Sequence, residues 1–353
     1  MGRLLYVTPV LPSLTGNGLA MRAGSVLRAL ARHHSVHLHV LPVYARWDDA
    51  LVPKLASLCA GVTEGVAIEP PAALDVLHVF RLAALPFARQ CAAAERHVDL
   101  DDIEPETYRR LAELHRLNGD AAGANAMDAE GARYEPLLDE VLAGWDRLYV
   151  CSERDRARLG VDTARVLPNV VETAPRPERR DGSFTFLFVG NLDYYPNGEA
   201  VRWFAREVLP SLRVLAPAAF RVLVAGNGKA PPELAHAGAV RDLGPCYAAA
   251  DVSIVPLRAG GGTRIKILEA FAHGVPVVST PVGAEGLETG DGEHLLLGDD
   301  AEAFAGRCAE LMASPELRRS LAERALRLVR DSYSLDAAIA AVAAVAPGEP
   351  RAR

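Results

Sequence analysis

The sequence predicts an α/β protein of two domains, each a parallel sheet with helices packed on it. Two stretches carry this. In the second half the apolar run Val252–Pro256 leads into Gly260-Gly261-Gly262, a helical stretch from Ile265, a stop at Gly274 and a second apolar run through Val277 and Val278. Strand, glycine turn, helix and strand make a parallel unit with a helical crossover. The first half opens in the same order: Leu4–Val7 as a strand, a loop with Gly16 and Gly18, a helix from about Leu19 to His33, and a strand at Val36–Leu41. A chain of 353 residues has room for about two such domains.

Composition narrows the function classes. The net charge of −7 argues against general nucleic-acid binding, although Arg179 and Arg180 form a local basic pair. Five cysteines stand without CxxC or metal spacing, which suits reduced thiols in a cytosolic protein. The start has too short an apolar run for a signal peptide, and no run is long enough to span a bilayer. Tyr6 stands where a myristoylation motif wants Ser or Thr.

The remaining elements follow in order. A helix is expected over Asp48–Ala60 and a strand at Asp75–Phe80, with His78 and Arg81 near its carboxyl end, where ligands bind in such sheets. The acidic run His97–Glu104 puts Asp99 and Asp101 on one face if it is a strand. It could ligate a metal, meet the hydroxyls of an acceptor, or cap the next helix. Asp102 is expected to cap that helix, and Asp99 and Asp101 to contact the acceptor. Residues 117–131, rich in Gly, Ala, Asn and Asp, read as a mobile loop, followed by a helix from Tyr134 to Gly144. A strand at Trp145–Cys151, a helix capped by Ser152, and a Pro/Arg/Glu-rich linker over 172–183 complete the first half. Phe184–Val189, ending in Gly190-Asn191, and Arg221–Ala225, ending in Gly226, are the next buried strands; Glu293–Leu297 reads as an edge strand. Helices over 300–312 and 315–329 precede a last helix, Leu335–Val345, and a frayed tail.

The chemistry concentrates at the glycine loop. Glycines let backbone N–H groups approach a ligand, and a helix N-terminus favours anions. Arg264 and Lys266 add charge, and Lys266, Glu269 and His273 share one stripe at i, i+3 and i+7. Glu269 could accept from the vicinal hydroxyls of a ribose. Together these describe a nucleoside diphosphate, although a helix cap at Gly274 with a Lys266–Glu269 surface pair would use the same residues.

The run Gly-Gly-Thr-Arg-x-Lys-x-x-Glu-Ala-x-Ala-x-Gly-x-Pro-Val-Val-x-Thr, from Gly261 to Thr280, resembles the nucleotide-sugar site of glycosyltransferase family 4. The resemblance implies the GT-B fold: two Rossmann-like domains facing across a cleft, with the C-terminal helix crossing back to the first. Domain limits of 1–167 plus 335–353, and 168–334, follow from a Pro168-Asn169-x-Val segment similar to the family's crossing. It implies a retaining transferase moving a sugar from a nucleotide-diphosphate sugar, UDP- or GDP-linked, to a carbohydrate, lipid or small-molecule hydroxyl. No cofactor and no metal is expected. The location implied is cytoplasmic, with peripheral contact of the first domain at the inner membrane face left open.

By the same resemblance His78, Arg81, Arg264 and Lys266 would be catalytic. Gly16, Gly18, Gly190, Asn191, Gly226, Arg241, Gly261, Gly262, Thr263, Arg264, Lys266, Leu268 and Glu269 would bind the donor, and Asp99 and Asp101 the acceptor. Three positions depart from the family pattern. Gly261 replaces its first glutamate, Phe80 its second histidine, and Asp193, Tyr194 and Tyr195 its basic residues after the strand at Phe184–Val189. An epimerase or phosphorylase on the same scaffold, or a silent nucleotide-binding protein, remain alternatives.

Overall fold

A computed structural model describes residues 2–44, 52–173, 183–216 and 218–343. The basic pair Arg179–Arg180, most of the linker and the tail lie outside these residues. The chain divides into two compact units, Met1–Pro105 with Ala129–Val170 and Tyr333–Arg353, and Glu106–Asp128 with Val171–Ser332. The sequence boundary at 167/168 thus shifts by three residues, and a segment expected in the first domain, 106–128, belongs to the second unit.

In the first unit β1 (Gly2–Thr8), β2 (His34–Val40), β3 (Gly61–Glu64), β4 (Val76–Phe80), β5 (Glu95–Asp101), β6 (Arg147–Val150) and β7 (Ala164–Val166) lie in the order β3-β2-β1-β4-β5-β6-β7. Every pairing is parallel. Such a sheet is covered on both faces, which is why Leu4, Leu5, Tyr6 and Val7 are all buried without alternation. The connecting helices are α1 (Gly18–Leu30), α2 (Val52–Ala56), α3 (Leu85–Ala88), α4 (Glu104–Leu117), α5 (Ala121–Gly144) and α6 (Glu153–Leu159).

In the second unit β8 (Phe184–Val189), β9 (Phe220–Ala225), β10 (Ala235–Gly238), β11 (Val252–Val255), β12 (Val277–Ser279) and β13 (Leu296–Leu297) run β10-β9-β8-β11-β12-β13, again parallel. The helices are α7 (Tyr195–Trp203), α8 (Leu209–Leu215), α9 (Gly244–Ala249), α10 (Ile265–Ala272), α11 (Pro281–Ala284), α12 (Ala301–Ala313) and α13 (Pro315–Ser332). Phe186, Phe188, Phe204, Leu212, Val224, Ile254, Val278 and Phe304 form its core. The last helix, α14 (Leu335–Ala343), belongs to the first unit, where Ala338 and Val342 share a cluster with Ala23, Val26 and Leu27 of α1. This is the returning helix the GT-B pattern implies.

The loop expected over 117–131 is instead a tight turn between two helices. Asn118, Gly119 and Asp120 separate α4 from α5, with Gly119 in the left-handed region at φ 76°. The Asp120 carboxylate accepts from the Gly123 amide at 2.8 Å and from His115 at 2.8 Å. A Cβ on Gly123 would meet both side chains, 2.2 Å from His115 Nδ1 and 2.3 Å from Asp120 Oδ2. The glycine that reads as a loop signal is thus required by the cap that starts a helix.

Candidate anion site and its surroundings

The glycine loop follows β11 and leads into α10. Gly260 and Gly262 have φ of 133° and 61°, which a side chain would resist. The loop carbonyls are pinned by arginines. Arg264, the residue that caps α10, folds its guanidinium back, so that Nη1 donates to Gly261 O and, at 2.8 Å, to Gly262 O. Arg110 of α4 donates to Gly260 O at 3.3 Å. In a trans peptide the C=O of one residue and the N–H of the next point in opposite directions. Turning the Gly260 and Gly261 carbonyls onto arginines therefore aims the Gly261 and Gly262 amides the other way. Among the described residues those two amides have no hydrogen-bond partner.

Arg264 is thereby a group that shapes the loop, while its Nη2, also buried, finds no partner. Lys266, in the first turn of α10, donates from Nζ to Asn197 Oδ1 at 2.6 Å and lies 4.4 Å from the centre of the Phe188 ring. Asn197 is held in turn by donating to Asn191 O at 2.9 Å. Gly190 leaves room for this arrangement, since a Cβ there would come within 2.9 Å of Lys266 Nζ. Lys266 makes no ion pair among the described residues. Burial, with the Arg264 charge beside it, lowers its pKa to about 7. The Tyr247 hydroxyl donates to Lys266 O at 3.4 Å. Burial raises the pKa of Glu269, one turn further, to about 7, and the Lys266 charge and Tyr247 oppose that rise. The Tyr247 ring stacks on His273 at 4.6 Å.

The other expected donor residues fall in several places. Gly190, Asn191, Gly261, Gly262, Arg264, Lys266 and Glu269 surround this region. Thr263 is largely buried in the loop, and Leu268 lies wholly in the core, so its side chain has no surface for a ligand. Gly226 packs against the turn after β8: a Cβ would sit 1.9 Å from Gly190 O. Arg241 is exposed between β10 and α9. The sequence alone does not point to Asn197, Phe188 or Tyr247. Asn197, just before a glycine at the start of a helix, offered a faint signal, whereas Tyr247 offered none, because only the fold brings α9 to α10.

The first unit treats its residues differently. Gly16 is exposed with φ 106°, and Gly18 opens α1 behind the cap Asn17. His78 is fully buried between Tyr6 and Tyr149, with ring centres at 5.4 and 5.6 Å, and neither ring nitrogen has a partner. Burial lowers its pKa well below the usual histidine value. Asp99, also fully buried, receives Arg22 Nη2 at 2.7 Å. Arg22 further donates to Leu167 O at 2.9 Å and Asn169 Oδ1 at 3.2 Å. The structure corrects the expectation for these two: neither His78 nor Asp99 has a surface with which to meet a ligand. Asp101 retains one. It and Arg81 both carry left-handed backbone, φ 60° and 71°, at the carboxyl ends of β5 and β4. Arg81 pairs with Asp102, with Asp101 at 3.4 Å and with Glu104 at 3.1 Å. Burial raises Asp101 to about 6 and Glu104 to about 8, against the pull of these arginines. The carboxylate of Asp102, expected as a helix cap, is engaged by Arg81. No group of three potential metal ligands occurs among the described residues, and no helix there is long and apolar enough to cross a membrane.

Residues 183–314, which contain both loops around Lys266, match the family described as Glycosyl transferases group 1. Over 163 residues the chain is 28% identical to an uncharacterized 44.6 kDa protein in the cps region of Klebsiella pneumoniae, with 42% of each chain covered. The match therefore spans about two-fifths of that relative's length. Among solved structures, sucrose-phosphate synthase from Thermosynechococcus elongatus is similar with a TM-score of 0.71 at 15% identity, covering 97% of this chain and 98% of its own. HepE of Anabaena, in its complex with UDP-glucose, gives 0.68 at 12%, covering 98% and 99%. A glycosyltransferase from Rickettsia africae gives 0.64 at 11%, covering 96% of each chain. At these identities the structures show the GT-B fold, and the family match supports glycosyl transfer as the reaction class. Residues 183–314, where the glycine-loop motif lies, are thus similar to the group 1 glycosyl transferases, and the chain has the GT-B fold.

Proposed function

We propose that this protein transfers a sugar from a nucleoside-diphosphate sugar to a hydroxyl acceptor with retention of configuration and without a resident metal. The observation that carries the reading is the loop at Gly260–Gly262. Its carbonyls are turned onto arginines, two glycine amides are left free, and the nearby lysine lacks a carboxylate partner. Preorganised donors of this kind hold a pyrophosphate and stabilise the charge that grows on it as the glycosidic bond breaks. Glu269 takes the ribose hydroxyls, and Gly190 and Asn191 border the phosphates. In the first unit Asp101 and Arg81 are the groups offered to the acceptor. HepE, which has this fold, was crystallised with UDP-glucose, and that supports a uridine donor as the first to try.

The test is a thermal-shift and titration panel of UDP, GDP, ADP and TDP and their sugars, followed by transfer assays in excess chelator. The reading expects one diphosphate to stabilise the protein by mass action and to be formed only when acceptor is present. Donor turnover without acceptor would move it to the epimerase or phosphorylase class. Activity lost in chelator and restored by magnesium would overturn metal independence.

A further inference from the structure

The segment 106–128, from α4 and the start of α5, touches both loops that border the anion site. Arg110 is the link on the glycine-loop side. It donates to Gly260 O at 3.3 Å and is held by three carboxylate oxygens: both of Glu285, at 2.9 and 3.0 Å, and Glu106 Oε1 at 2.9 Å. Glu285 directly follows α11, so the guanidinium ties the loop before α10 to the loop after α11. Leu111 and Leu114 pack with Ala259 at the loop's foot, and Tyr195 joins the same cluster. On the other side His115 stacks on Tyr195 at 3.7 Å and 9°, and Asn118 donates to the Tyr195 hydroxyl at 3.1 Å. Asn118 also accepts from Arg258 at 3.1 Å, and Arg258 pairs with Glu199 of α7.

We infer that residues 106–118 brace the anion site from behind and that Arg110 is a positioning residue for donor binding. The inference rests on the donor reading proposed above. Arg110 acts on the ligand only through the peptide it holds. With the Gly260 carbonyl fixed, the Gly261 amide is already directed outward before an anion arrives. Without Arg110 that peptide is free to rotate, and glycine, which has no side-chain preference, samples the alternatives. Part of the binding free energy is then consumed in ordering the loop.

The test compares the wild type with Arg110→Met, Arg110→Lys and Glu285→Gln. Each is titrated calorimetrically with whichever of UDP, GDP, ADP and TDP binds the wild type most tightly, well below the melting temperature. Arg110→Met is expected to raise the Kd about tenfold, the scale of one charge-assisted hydrogen bond. Arg110→Lys, which keeps a donor, should recover part of that loss. Glu285→Gln keeps the bond to Gly260 O and should change Kd by less than Arg110→Met, even where it lowers the melting temperature as much. A variant that melts early but binds within twofold of the wild type would show Arg110 to be structural only and overturn the inference. A wild type that binds none of the four would remove the donor reading, and this inference with it.

Discussion

The two units place cations at the carboxyl ends of parallel strands and then surround them in opposite ways. In the first, Arg22 and Arg81 face Asp99, Asp101, Asp102 and Glu104. Carboxylates outnumber arginines there, and burial, with the neighbouring carboxylates adding to it, raises the pKa values of Asp101 and Glu104. In the second, Arg264 is offered backbone carbonyls and Lys266 an amide oxygen and an aromatic face. The arginines of the first unit are matched by carboxylates, whereas the lysine site is short of negative charge. The lesson is that buried charge of one type can stabilise a fold or await a ligand, and the partners decide which.

The comparison breaks first on stability. Replacing Arg22 by Met leaves Asp99 buried and unpaired, which costs roughly 3–5 kcal/mol. Urea unfolding should show this as a lower midpoint with an unchanged slope. Lys266→Met should do the reverse, leaving the urea midpoint close to the wild type while weakening nucleoside-diphosphate binding by about 2 kcal/mol, or some thirtyfold. A large loss of stability with intact binding in that variant would put Lys266 in the same class as Arg22.

Lys266 also makes binding depend on pH. Its pKa in the free protein is about 7, and a pyrophosphate beside it raises that value. Below pH 7 the lysine is already charged and contributes no slope. Above pH 7 binding must take up a proton, so affinity falls by up to about tenfold per pH unit until the bound-state pKa is reached. Glu269, also near 7, ionises over the same range and adds repulsion in the same sense. Titrations from pH 6 to 9 should show this fall, and Lys266→Met should reduce it.

The smallest expected effect concerns His78. Its folded pKa lies below the unfolded value of about 6.5, so the unfolded chain binds the proton first as pH falls. Stability is unaffected above pH 6.5 and declines below it, by at most about 1.4 kcal/mol per pH unit for this group. His97, lowered to about 4, contributes in the same direction. His78→Phe should flatten the decline between pH 6.5 and 5 in denaturant titrations; an unchanged slope would mean that His78 is not the group being protonated.

Much of the fold was legible, because the strands are apolar runs closed by glycine or a polar turn, and α10 carries its charge on one stripe. The returning helix α14 was expected from the family resemblance. The turn between α4 and α5 was not legible, because its Gly, Asn and Asp are also loop residues, and what makes it helical is a cap at Asp120 together with packing on Ala259 and Tyr195. The anion site was visible in Gly261, Gly262 and Lys266, which are adjacent in the chain. Its supports were not, since Arg110 lies 150 residues from Gly260 and Asn197 lies 69 from Lys266. For the same reason Asp99 read as a surface group, its partner Arg22 being 77 residues away.

The central claim is that the loop at Gly260–Gly262 and Lys266 receive a pyrophosphate. Its most direct test is a crystal structure of the protein with the tightest-binding nucleoside diphosphate. The account predicts phosphate oxygens within hydrogen-bond distance of the Gly261 and Gly262 amides and of Lys266 Nζ, with the ribose against Glu269. Phosphates bound elsewhere, with those two amides still unpaired, would contradict it.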